Sequence, residues 1–297
     1  MSRILITGAN GQVGFELQRA LAVLGDIVSL DRAGLDLTQP DAIRQTLDRH
    51  QPDIIVNPAA YTAVDKAESD ADTACKVNAE APAELAAWAA EHGALLIHYS
   101  TDYVYDGEKD GAYVETDAAN PQSVYGASKL AGEQAIVAAG ASHVIFRTSW
   151  VFGAHGANFL KTILRLAGER ESLNIVADQI GAPTSAALLA DVTAHVIQRY
   201  RQSPQAFPSG VYHLSAAGET SWFEYARSVA MLAEEQGLPL KLSSANIQPI
   251  PSSAYPTPAK RPHNSRLDCS KIRATFDIHL PDWQDGVRHV FAQLCQR

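Results

Sequence analysis

Short apolar runs alternate along this chain with longer stretches in which apolar residues recur every three or four positions. Residues 4–6, 27–30, 54–56, 95–99 and 144–146 read as strands that are apolar on both faces. Residues 12–24, 40–50, 72–92 and 124–139, between them, read as helices. Thr38 is placed to cap the helix that begins at Pro40, and Gly93 and Gly140 sit where helices commonly stop. Doubly apolar strands alternating with helices imply an α/β fold, a doubly wound parallel sheet covered on both sides.

After Arg147 the rhythm loosens. Helical spacing returns at 159–167, 186–200 and 222–236, with a short strand at 211–213. Pro249, Pro251, Pro256, Pro258 and Pro262 then force a largely extended segment. The expected organisation is a dinucleotide-binding domain over 1–150, to which later segments return, and a smaller, less regular C-terminal substrate lobe over 151–297.

Composition narrows the function. The net charge of −9 argues against a nucleic-acid surface, which normally shows as basic excess. Cys75, Cys269 and Cys295 lie far apart with no CxxC pair, which excludes a cysteine zinc site and disfavours a disulfide framework. No secretion signal and no long uninterrupted apolar run is visible, so the expectation is a cytoplasmic protein with no membrane partner.

The first strand runs into Thr7-Gly8-Ala9-Asn10-Gly11-Gln12-Val13-Gly14. Gly8 permits a sharp exit from the strand, Gly11 lets backbone approach phosphate, and Gly14 lets helix and strand pack closely. A helix starting near Gln12 then aims its N–H groups at a pyrophosphate, which makes the fold Rossmann-like. The spacing is GxxGxxG rather than GxGxxG. Asp31 ends the second strand, where a carboxylate binds adenosine ribose hydroxyls and favours NADH. Arg32 follows and suits a 2′-phosphate, so the pair leaves NADH and NADPH both open. Asp36 and Leu37 are placed near the adenine. Residues 57–62 end the third strand on the same edge, with Ala60, Tyr61 and Thr62 expected to line the cofactor.

Tyr125 and Lys129 stand one helical turn apart, a phenol and an ammonium on one face. An ammonium stabilises phenolate and makes tyrosine a usable proton donor. Tyr105 and Lys109 repeat the spacing, but Asp106-Gly107 marks a turn there and breaks the geometry. The fourth strand ends in Ser100-Thr101-Asp102-Tyr103, at the edge where ligands bind. Thr101, or second Ser100, is suited to donate to a carbonyl oxygen. His98, alternating with apolar neighbours, reads as a hydrogen-bonded core histidine.

These segments resemble the extended short-chain dehydrogenase/reductase family, with further likeness in residues 62–68, 146–150, 178–184 and 261–267. More narrowly they are similar to its reductases of dTDP-linked 4-keto sugars. The resemblance implies hydride transfer from NADPH or NADH to the 4-keto group of dTDP-4-dehydro-L-rhamnose, giving dTDP-L-rhamnose. In that reading Tyr125 protonates the alkoxide, Lys129 tunes Tyr125 and holds ribose, and Thr101 bonds the keto oxygen. Asp102, Tyr103 and Trp150 lie by the sugar, and Arg261 and Asn264 by the diphosphate. Some relatives form a dimer through carboxylate-bound magnesium (Mg2+). Glu16 is present here, but Ala187 and Gln293 stand where its partner acids are expected, so a monomer or weak homodimer without the metal is favoured. Three other functions remain open: a nucleotide-sugar epimerase or dehydratase with the same Tyr/Lys machinery, a non-catalytic regulatory subunit that kept the cofactor pocket, and a nucleotide-sensing module that binds cofactor without turnover.

Overall fold

The computed structural model describes residues 2–295. Six parallel strands form one sheet: β1 (Ser2–Ile6), β2 (Gly25–Ser29), β3 (Ile54–Asn57), β4 (Leu95–Thr101), β5 (His143–Thr148) and β6 (Gly210–His213). Their order is β6-β5-β4-β3-β1-β2. The chain therefore reverses direction across the sheet between β1 and β3, and the crevice at such a reversal is where ligands bind. Every residue of β3, β4 and β5 is buried, which explains their unbroken apolar runs.

The sheet separates two cores. One contains Ile4, Ile6 and Val56 beneath helices α1 (Gln12–Leu21) and α6 (Ala186–Gln202). The other packs Leu5, Ile55 and Leu96 against α2 (Pro40–His50), α3 (Ala81–His92) and α4 (Val124–Ala139). A third core joins α5 (Phe159–Glu169), α7 (Trp222–Glu235) and α9 (Trp283–Cys295) beside the sheet. β6 comes from the later half of the chain, where residues 211–213 carry the expected strand.

Several expectations need correction. Thr38 does not cap α2: Gln39 is the N-cap, and the Thr38 hydroxyl donates to Asp36 at 2.9 Å. Residues 72–92 are not one regular helix. They divide into Ala71–Cys75, a π turn over Lys76–Glu80 and α3. Pro82 has no N–H for the carbonyl four residues back, and the chain widens before it, Ala81 N–H bonding Lys76 instead. The helices at Ser270–Phe276 (α8) and over α9 carried no recognised signal. Gly93 and Gly140 do end α3 and α4, both left-handed. Among the described residues no helix is long and apolar enough to cross a membrane.

Candidate active site

A cavity of about 1020 Å³ opens at the carboxyl ends of β1, β3 and β4. Its first wall is the glycine turn. Gly8 is left-handed (φ +57°), and a Cβ on Gly14 would fall 2.1 Å from the Gly8 carbonyl oxygen. Any side chain there would push α1 off the strand. Gly11, the N-cap of α1, offers no side-chain oxygen, and the N–H groups of Gln12, Val13 and Gly14 find no acceptor among the described residues. Those free donors border the cavity at the positive end of the helix, which fits an anionic pyrophosphate.

Asn10, Asp31, Arg32, Asp36 and Leu37 extend this wall. Asp31 also shapes it: one oxygen accepts from the N–H groups of Ala33 and Gly34 at 3.0 Å, the other from the Asn10 amide at 2.8 Å. Asp36 faces Thr38, whose backbone N–H holds its carboxyl below the usual range. Ala60, Tyr61 and Thr62 form the facing wall. The π turn fixes them, because it presents buried Asn78. That side chain accepts from Tyr61 N–H at 2.8 Å and donates to Ser128 of α4 at 3.0 Å.

Tyr125 and Lys129 enter the cavity from the first turns of α4, capped by Ser123. A Cβ on Gly126 would meet the Tyr103 carbonyl at 2.2 Å, so the glycine lets α4 press against the turn that follows β4. Both side chains are buried, at 9% and 1% exposure. The Lys129 amine donates to the Tyr99 carbonyl at 2.6 Å and lies 2.9 Å from His98 Nε2. It makes no hydrogen bond to Tyr125. Burial lowers the Lys129 amine to about 7, with Glu133 pulling the other way. Burial also raises the Tyr125 phenol, against a downward pull from the Thr101 hydroxyl. The expected ammonium-stabilised phenolate is thus not the arrangement of this structure, where desolvation outweighs charge.

Thr101 accepts from Tyr103 N–H at 3.2 Å and donates to Asp102 Oδ1 at 3.0 Å. Desolvation pushes the Asp102 carboxyl up to about 6, despite the nearby hydroxyls of Ser265 and Thr101. Its Oδ2 lacks a hydrogen bond of good geometry, as does Ser100 Oγ. Thr101, Asp102 and Tyr103 all line the cavity.

Trp150 also lines the cavity, left-handed (φ +50°) and stacked on Trp222 with ring centroids 3.7 Å apart. Trp222 was not foreseen as a site residue. It opens α7 far along the chain, and only folding reveals its partner. Arg261 stands behind the wall, bonded to the Tyr103 hydroxyl at 3.1 Å and to Asp65 at 2.6 Å. Asn264 is not brought to the cavity: its amide donates to the carbonyls of Lys109 and Gly111, and its oxygen accepts from Arg266. Glu16 pairs with Arg19 at 3.4 Å, and Gln293 bonds His289. Among the described residues of this one chain no group of three metal-ligating side chains forms. Tyr105 and Lys109 diverge, toward His213 and Asp117 respectively.

The RmlD substrate binding domain family matches residues 1–296. A dTDP-4-dehydrorhamnose reductase of Burkholderia thailandensis is 51% identical over 289 residues, 96% of each chain. That of Escherichia coli K12 is 50% identical over 295 residues, covering 98% of this chain and 97% of the relative. The crystal structure of the Bacillus anthracis dTDP-4-dehydrorhamnose reductase in complex with NADP superposes with a TM-score of 0.88 at 36% identity, covering 98% of this chain and 99% of that one. The glycine turn, the Tyr125/Lys129 helix and this likeness along the whole chain agree: the protein belongs to the dTDP-4-dehydrorhamnose reductase family.

Proposed function

We propose that this protein reduces the 4-keto group of dTDP-4-dehydro-L-rhamnose to dTDP-L-rhamnose, the last step in making that nucleotide sugar. One observation carries the reading: Tyr125, Lys129 and Thr101 share a single cavity with the uncapped N-terminus of α1. The free N–H groups of Gln12, Val13 and Gly14 hold the pyrophosphate of NADPH or NADH, Asp31 and Arg32 meet the adenosine ribose, and Lys129 reaches the nicotinamide ribose. Reduced nicotinamide, when bound, supplies the hydride. Thr101 donates to the keto oxygen, and Tyr125 hands its phenolic proton to that oxygen as charge develops there. Trp150, with Trp222 behind it, packs on the sugar, while Arg261 steers the phosphates through Tyr103.

Residues 1–150 hold the cofactor in this reading, with β6 returning to them, and 151–297 mainly bind the substrate. The protein acts in the cytoplasm on a small molecule, as a monomer or weak homodimer. A panel of dTDP- and GDP-linked 4-keto sugars assayed with each cofactor tests the proposal. Net oxidation of reduced nicotinamide with the dTDP-4-keto sugar is the expected result. Interconversion of sugars with no net oxidation would instead make it an epimerase.

A further inference from the structure

Behind Lys129 lies a file of side chains that the proposed chemistry does not use. Thr7 Oγ1 lies 2.6 Å from Asn57 Oδ1, Asn57 Nδ2 lies 3.0 Å from His98 Nδ1, and His98 Nε2 lies 2.9 Å from Lys129 Nζ. Thr7 directly follows β1, while Asn57, His98 and Lys129 come from β3, β4 and α4, and each is at most 1% exposed. Thr7, Asn57 and His98 are buried behind Lys129, the member of the file that borders the cavity, so their protons are shared out along the file.

Among the described residues Thr7 Oγ1 has Asn57 as its only hydrogen-bond partner. Its proton is satisfied only if the Asn57 atom facing it is the carbonyl oxygen. The Asn57 amide nitrogen then donates to His98 Nδ1, which must be bare. A neutral imidazole with a bare Nδ1 carries its proton on Nε2 and points it at Lys129. An ammonium has no lone pair to receive that proton; a neutral amine has one, and keeps an N–H for the Tyr99 carbonyl. The opposite polarity, with an ammonium donating to Nε2, needs the imidazole proton on Nδ1 and the Asn57 amide turned over. It leaves the buried Thr7 proton unpaired.

We propose that Thr7, Asn57 and His98 are positioning residues that hold Lys129 as a neutral amine in the free protein, and that charging Lys129 requires the whole file to reverse. On reversal the pair gains one proton. The proton on Nε2 passes to Nζ, the incoming proton ends on Nδ1, and the amide rotates so that its oxygen accepts it. Of the other ionisable groups, Glu133 of α4, paired with Arg147 of β5, acts on the amine, and Tyr125 of α4 and Asp102 in the turn after β4 line the same cavity. Burial acts in the same sense as the file, disfavouring the charge on Lys129 and on His98. The role of Lys129 in turnover rests on the reductase reading; the proton arrangement does not.

Nitrogen-15 NMR of the free, full-length protein, labelled at histidine and at lysine Nζ, reads both groups without any turnover. The Nε2–H tautomer at His98 is expected at pH 8, with Lys129 titrating well below ordinary lysines. Asn57→Asp offers only acceptors, so it should move His98 to the Nδ1–H form and raise the Lys129 midpoint by about one pH unit or more. Thr7→Val adds no charge and should raise it in the same direction, which separates proton polarity from the attraction of a new carboxylate. An Nδ1–H tautomer in the wild type beside a lysine still charged at pH 9 would overturn the proposal. So would a Lys129 midpoint that Thr7→Val leaves unmoved. An intact switch in a protein that reduces no sugar would instead sink the reductase reading alone.

Discussion

Oγ1 of Thr101 lies 3.0 Å from Oδ1 of Asp102, and this contact decides where the one hydroxyl proton of Thr101 goes. While Asp102 is ionised its carboxylate accepts the hydrogen bond from that hydroxyl. Once Asp102 is protonated it can donate to Thr101, leaving the threonine proton free for another oxygen.

The folded carboxyl titrates near 6, above its unfolded value, so Asp102 favours folding most below about pH 4 and loses that contribution as the pH rises through 6. Asp102→Asn removes the dependence. Relative to wild type the variant should gain up to about 3 kcal/mol between pH 4 and pH 8. Thermal midpoints measured across that range check this; curves that stay parallel would show that Asp102 is not held protonated.

Glu133 and Arg147 form a buried pair at 2.5 Å, with Arg147 also donating to the Tyr105 hydroxyl at 2.7 Å. The pair ties α4, and so Tyr125 and Lys129, to β5. Glu133→Gln leaves a guanidinium buried without its counter-charge and should cost about 3–5 kcal/mol in urea denaturation. A loss under about 1 kcal/mol would mean that the pair does not anchor the helix.

Trp222 lines the cavity together with Trp150, its stacking partner. Trp222→Ala should raise the KM for the sugar nucleotide roughly twofold to tenfold, the value of one aromatic stack. The cofactor Kd should not change. Equal losses in both would place Trp222 in general stability instead.

Asp31 both faces the cavity and braces the glycine turn through Asn10. Asp31→Ala should therefore weaken both cofactors and weaken NADH more, raising the NADPH/NADH ratio of kcat/KM. Arg32→Ala should lower that ratio. An unchanged ratio in both variants would remove the two residues from cofactor choice.

Local pattern carried much of this protein. The apolar runs located β1 to β5, most cleanly β3 to β5, whose residues are all buried and leave no polar face to blur the run, and the glycine turn and α4 were visible because their chemistry is contiguous. What pattern missed depends on distant residues. Trp222 matters through Trp150, and Asn78 through a π turn that Pro82 imposes; His98 is the hydrogen-bonded core histidine expected, but its partner Lys129 is set by the fold. Asn264 was misplaced for the converse reason: its segment packs close to the site, but its side chain closes a loop.

Tyr125 is the residue on which the proposed reduction depends most, and one assay tests it directly. Tyr125→Phe is compared with wild type for nicotinamide oxidation with the dTDP-4-keto sugar, alongside the cofactor Kd. Loss of the proton donor should cut kcat by about 100-fold or more while the Kd stays within a few-fold. Wild-type turnover in the phenylalanine variant would contradict the assignment.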